Sequence, residues 1–165
     1  MNAPLHPDVP EGFKPFGARD GMFGVVGPIY GKVADGEASL GFRVEEKHLN
    51  PVGTCHGGML ATLVDVQIGF GAAVLMGRRI FLPTINLNCD FLAPPQLGQW
   101  VHGRTELVRA TPRMAFCNAW LYCEDEIVLR ANGIMKVPSE GDRRFAFPDT
   151  LQTASPASAD PNTGA

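Results

Sequence analysis

The chain has 165 residues, enough for one domain that buries roughly 70% of the surface its unfolded form exposes. Its 14 Lys and Arg against 17 Asp and Glu leave a net charge of -3, so no global basic field draws in phosphates and nucleic acid is excluded as the expected partner. Cys55, Cys89, Cys117 and Cys123 form no CxxC pair, and residues 1–15 hold Pro4, Pro7, Pro10 and Pro15 without the apolar run of a secretory signal. The expectation is a reduced, cytoplasmic protein, with disulfides among the cysteines the alternative.

In chain order, the proline-rich residues 1–20 read as a loose segment. Strands follow over Phe23–Val33 and Glu37–Val44, separated by Asp35-Gly36, a strong hairpin signal. A long helix runs from about Gly57 to Met76. Four more strands come after it: Thr84–Phe91, Trp100–Arg109 with its alternation of Val101, Gly103, Thr105 and Leu107, then Met114–Cys123 and Ile127–Val137 around Glu124-Asp125-Glu126. From residue 139 the chain becomes poor in large apolar groups, so 139–165 reads as a disordered tail and 21–138 as the domain. One buried helix against such strands is an α+β layer.

The helix carries one charge. Leu60, Leu63, Val64, Ile68 and Leu75 make a broad apolar face, whereas Asp65 stands in a column of small residues with Gly58, Ala61, Thr62, Gly69 and Ala72. A membrane span of this length would carry Asp65 at its centre at a cost of about 2.5–3.5 kcal/mol, and strands flank it, so a buried helix is the better reading. Small residues alone suit a packing seam; they leave the aspartate unexplained.

Gly57 and Gly58 open the helix, where backbone N–H groups lack intrahelical partners, the dipole is positive and no Cβ hinders a close approach. Donors fixed there can hold an oxyanion, and a carboxylate can serve as base; a tight turn and a satisfied buried aspartate are the structural alternatives. Eight residues of helix rise about 12 Å, so Asp65 cannot easily serve its own Gly57.

Asn50, Gly53-Thr54-Cys55-His56-Gly57-Gly58 and Asp65, with Gly41-Phe-Arg-Val44 before them and Asp90-Phe-Leu-Ala-Pro-Pro95 after, resemble the phenylacetate-pathway (PaaI-type) acyl-CoA thioesterases over about residues 20–138. The resemblance implies a hotdog fold, with a long central helix wrapped by an antiparallel sheet of about six strands. It implies hydrolysis of an aryl- or short/medium-chain acyl-CoA in a homodimer, doubled to a homotetramer, with the Asp65 of one chain facing the Gly57 N–H of another. It also places His56 beside the thioester, Asn50 on the bound water or on the turn itself, and the Thr84 hydroxyl near the acid. A helix cap for His56, a turn start for Asn50-Pro51 and an ordinary strand threonine are the plainer readings.

Arg78, Arg79, Arg109 and Arg113, with Lys136, are candidates for the coenzyme A phosphates, and a solvated loop is the alternative for each. Coenzyme A is then part of the substrate and no separate cofactor is expected. His6, His48, His56 and His102 lack metal-ligand spacing, so no metal is expected either. Cys55 beside His56 lacks a third orienting group and reads as a buried thiol. Two other functions fit the same fold. A non-catalytic acyl-CoA or small-ligand binder has no use for Asp65 near a polyanion, and a dehydratase would pair a histidine with a helix acid but is matched less well by the HGG turn and Asn50.

Overall fold

The computed structural model describes residues 8–17, 21–139 and 141–146. Its elements are β1 (Lys14–Phe16), α1 (Gly21–Val26), β2 (Ile29–Ala34), β3 (Glu37–Arg43), α2 (Gly57–Leu75), β4 (Thr84–Phe91), β5 (Trp100–Ala110), β6 (Met114–Cys123) and β7 (Glu126–Lys136). The strands form one 7-stranded sheet in the order β1-β2-β3-β5-β6-β7-β4, every neighbouring pair antiparallel. After α2 the chain therefore crosses to the far edge, lays down β4, and returns to the middle for β5.

Side-chain alternation bends this sheet around α2. Along β6 every second residue is buried, so Ala115, Cys117, Ala119, Leu121 and Cys123 face inward. Leu60, Leu63, Val64 and Ile68 of α2 meet them, each at most 2% exposed. Small residues let helix and sheet approach: a Cβ on Gly103 would lie 2.6 Å from Gln67 Cγ, and one on Gly71 2.4 Å from Thr105 Oγ1. By length and composition α2 could cross a membrane; in this fold it is the core helix.

Gln67 is a polar plug in that core. β3 and β5 pair only from Gly41–His102 to Arg43–Trp100, and beyond this the strands part. The fully buried Gln67 amide fills the gap, accepting from Leu40 N–H at 2.7 Å and donating to Ala38 O and Thr105 Oγ1 at 2.9 Å each. The Thr105 hydroxyl in turn donates to Gln67 O at 3.0 Å. Backbone groups that would otherwise be orphaned inside the protein are thus satisfied.

The hotdog layout, the hairpin and the strands after α2 agree with the sequence reading. Asp35 and Gly36 both adopt positive φ between β2 and β3, as a tight hairpin requires. Three expectations need correction. The first half of the expected strand Phe23–Val33 is α1: Gly27 N–H donates back to Phe23 O at 2.8 Å, and the Gly27-Pro28 pair then separates helix from strand. The sheet has a seventh strand, β1, inside the segment expected to be loose, because Phe16 is only 6% exposed and Lys14–Phe16 pairs with β2. The start of the expected disordered tail is also engaged. Phe81 N–H donates to Phe145 O at 2.8 Å, Ile80 bridges Ala146, and the Lys136 ammonium lies 6.0 Å from the Phe145 ring centre. Residues 147–165 of that tail lie outside the described residues.

Candidate active site

The turn before α2 is built by Asn50. Its side-chain oxygen accepts from Val52 N–H and Thr54 N–H at 3.1 Å each, and its amide donates to Thr54 Oγ1 at 2.9 Å. The Asp90–Pro95 segment braces the same turn, since Cys55 N–H donates to Pro95 O at 2.8 Å. Of the two places expected for the Asn50 side chain, bound water or turn, its hydrogen bonds are those of the turn.

His56 is the N-cap of α2. Its Nδ1 accepts from Gly58 N–H at 2.8 Å, which puts the neutral ring's proton on Nε2 at the exposed side. Gly57 N–H donates to nothing among the described residues. A Cβ at Gly57 would come within 3.2 Å of the exposed Phe91 ring, which would have to shift by a few tenths of an ångström, so glycine leaves this donor uncrowded. The helix start thus presents one free N–H beside an imidazole, at the positive end of the dipole.

Asp65 and Thr84 make a second cluster. Thr84, the first residue of β4, donates from Oγ1 to Asp65 Oδ1 at 2.7 Å, and Oδ2 has no partner among the described residues. The carboxylate is half-buried, flanked along α2 by the half-buried Ala61, Thr62 and Gly69. Asp65 is eight positions from Gly57 in one unbroken helix, so the clusters of one chain are about 12 Å apart along its axis. One chain brings Asp65 to Thr84, and Asn50 and His56 to the Gly57 turn, without joining the two groups.

The four arginines are separate from both clusters in sequence. Arg78 and Arg79 follow the end of α2, and Arg109 and Arg113 flank the β5–β6 turn; none forms an ion pair among the described residues. Cys55 is the buried thiol expected, pushed up to about 11 chiefly by burial and secondarily by Cys123. Cys89 was not anticipated near the acid: burial raises its thiol pKa first, and the Asp65 charge adds to the rise.

Four phenylalanines also escaped the sequence reading. Phe16, Phe23, Phe70 and Phe81 surround an apolar recess of about 90 Å³ with Asp65 and Thr84 at its polar end. Phe81 stands three residues before Thr84 and Phe70 five after Asp65, which is a local signal; Phe16 and Phe23 arrive only through the fold.

The Thioesterase superfamily model matches residues 52–129. A Pseudomonas aeruginosa protein carrying the name "Putative esterase" is 33% identical over 132 residues, 79% of this chain and 98% of that protein. Human acyl-coenzyme A thioesterase 13 is 31% identical over 83 residues, 50% of this chain and 59% of the human protein. Among solved structures, a mutant of the phenylacetic acid degradation protein PaaI from Thermus thermophilus superposes with a TM-score of 0.63 at 24% identity, covering 72% of this chain and 100% of that one. That last likeness is one of fold. With its HGG turn, helix-borne acid and hotdog layout, the chain belongs to the thioesterase superfamily and is a thioester hydrolase.

Proposed function

We propose that the protein hydrolyses acyl-coenzyme A thioesters with an aryl or a short- to medium-chain acyl group, in a homodimer whose sites are shared. One observation carries this reading: Asp65 is the only charged residue of α2, one of its oxygens is held by Thr84, and the other has no partner among the described residues. A carboxylate so placed can take a proton from water as the water oxygen bonds to the thioester carbon. Gly57 N–H of the second subunit then holds the resulting oxyanion, and as the C–S bond breaks the coenzyme A thiolate leaves and is protonated. His56 fixes the donor turn through Gly58, and Asn50 holds the turn itself.

The two-chain site is supported by the separation of the clusters and by the open edge of the sheet. Among the described residues β4 pairs only with β7, all its residues are at least partly exposed, and Ile85 and Phe91 stand out at 56% and 54%. Such an edge beside the small-residue face of α2 suits a two-fold pairing that brings each Asp65 to the other chain's turn; two such dimers make the tetramer that the resemblance implies. Arg78, Arg79, Arg109 and Arg113, which form no ion pair among the described residues, are placed to take the coenzyme A phosphates. Coenzyme A enters as substrate, with no other cofactor, in a cytoplasmic setting.

The test is a panel of phenylacetyl-, hydroxybenzoyl-, butyryl- and decanoyl-CoA, followed by free-thiol release. At least one should be hydrolysed with kcat/KM of about 10⁴ M⁻¹s⁻¹ or more. Tight coenzyme A binding without turnover on any member would leave the binding-protein reading instead.

A further inference from the structure

The recess beyond Asp65 has a single chemical character. Apart from Asp65 and Thr84 at its polar end, its lining is apolar, and the aromatic part comes from four places in the chain: Phe16 of β1, Phe23 of α1, Phe70 of α2 and Phe81 just before β4. Three of these rings pack on one another. Phe16 lies 4.8 Å from Phe70 and 6.1 Å from Phe23, centre to centre, and is itself only 6% exposed. Gly17, at φ +86, lets Phe23 close over the chain, since a Cβ there would lie 2.7 Å from the Phe23 ring. At the other end of α1, Val26 O is held by His48 Nε2 at 2.7 Å.

Of the two ends of an acyl-CoA, only the acyl tail can enter such a space; pantetheine amides and phosphates would be left without partners. With the thioester carbon at Asp65, the tail points toward the phenylalanines and the thiol side points out. Size then limits the tail. An apolar cavity of roughly 150 Å³ takes a whole benzene ring; this recess of about 90 Å³ is smaller but open at its mouth, so a single ring or a short chain enters it in part, with the carbons nearest the thioester staying at the mouth beside Asp65. Phe16 packs on Phe70, which lies five residues, about 7.5 Å of helix rise, beyond Asp65, and Phe23 packs on Phe16; Phe16 and Phe23 both lie outside the stretch matched by the superfamily model, residues 52–129.

We propose that Phe16 and Phe23 form the end wall of an acyl pocket beginning at Asp65, and that this wall confines the substrate to a compact apolar acyl group, a single ring or a chain of about four to six carbons. The inference rests on the thioesterase reading above and adds which part of the chain sets the length limit.

The experiment measures kcat/KM on acetyl-, butyryl-, phenylacetyl- and decanoyl-CoA for the full chain and for Phe23→Ala, Phe23→Leu and Gly69→Ala. The parent should favour butyryl or phenylacetyl over decanoyl by at least about tenfold. Opening the wall with Phe23→Ala, or partly with Phe23→Leu, should raise the decanoyl-to-butyryl ratio by about tenfold or more. Gly69 lines the recess one turn beyond Asp65, and its added methyl would meet Leu82 O at 3.6 Å and Met135 Cε at 4.0 Å, so the fold can take it. Gly69→Ala should lower the phenylacetyl-to-acetyl ratio by about tenfold with an unchanged or higher Tm. A parent that takes decanoyl as well as butyryl overturns the wall while leaving the thioesterase reading standing. So does an unchanged chain-length profile in folded Phe23→Leu and Gly69→Ala. A parent that hydrolyses none of the four overturns both.

Discussion

Thr84 Oγ1 donates to Asp65 Oδ1 at 2.7 Å, tying the first residue of β4 to the middle of α2. The bond fixes the carboxylate's rotamer and leaves its second oxygen open, whereas an unheld aspartate would sample several orientations. Hydrogen bonds to charged groups are worth about 1.5–3 kcal/mol, so Thr84→Val should lower kcat by about 10- to 100-fold with little change in Tm, because Thr84 is exposed. Thr84→Ser keeps the hydroxyl and should recover most of the rate. Full activity in the valine variant would show that the hydroxyl does not position the acid.

Gln67 supplies the second prediction. Gln67→Leu keeps the volume but strips the partners from Leu40 N–H and Ala38 O inside the core, while the Thr105 hydroxyl keeps its bond to the residue 67 backbone carbonyl. Each orphaned group costs about 1–3 kcal/mol, so the loss in urea denaturation should reach about 3–4 kcal/mol. A loss under about 1 kcal/mol would mean that β3 and β5 close the gap without it.

These two side chains mark where sequence reading succeeded and where it stopped. Asp65 was legible because a lone charge in an apolar helical run contradicts its surroundings, and the HGG turn because glycine pairs and polar lead-ins mark helix starts. Thr84 rested on resemblance, and the hydrogen bond to Asp65 now supplies its geometry. Gln67 was invisible: a glutamine at a helical position looks like any other until the parting of β3 from β5 is known. α1 was mistaken for strand because Val25 and Val26 favour β structure, a preference that the i to i+4 bond from Gly27 overrides. β1 was hidden by Pro15 at its centre, which an edge strand tolerates.

The third prediction concerns pH. His48 is 3% exposed, and burial is the main cause that lowers its pKa below 6.5; the Lys47 charge adds to this, while Glu45 and the carbonyls of Val26 and Arg43 oppose it. Its Nδ1 accepts from Glu45 N–H at 2.9 Å, a bond that a second ring proton would abolish. The unfolded chain therefore binds this proton more readily than the folded one. Stability is fully present above about 6.5 and falls as pH drops from there through the lower folded value. His102, lowered by burial, acts in the same direction. The urea midpoint should thus decline between pH 7.5 and 5, and His48→Gln should flatten that decline. A midpoint that rises toward pH 5 would contradict the assignment.

If the Asp65 of one chain works with the Gly57 N–H of another, two variants that are inactive alone should complement each other when mixed. Asp65→Asn removes the base and should cost about 10²–10⁴ in turnover. Gly57→Pro removes the donor at the first helical position, where proline is tolerated, and should cost about 10²–10³. When the two are unfolded together in equal amounts and refolded, half of the dimers are mixed, and each mixed dimer has one site with both Asp65 and Gly57 intact. Activity should then return to about one quarter of the parent value. If mass spectrometry shows mixed dimers and the activity stays at the level of the separate variants, the shared site is wrong.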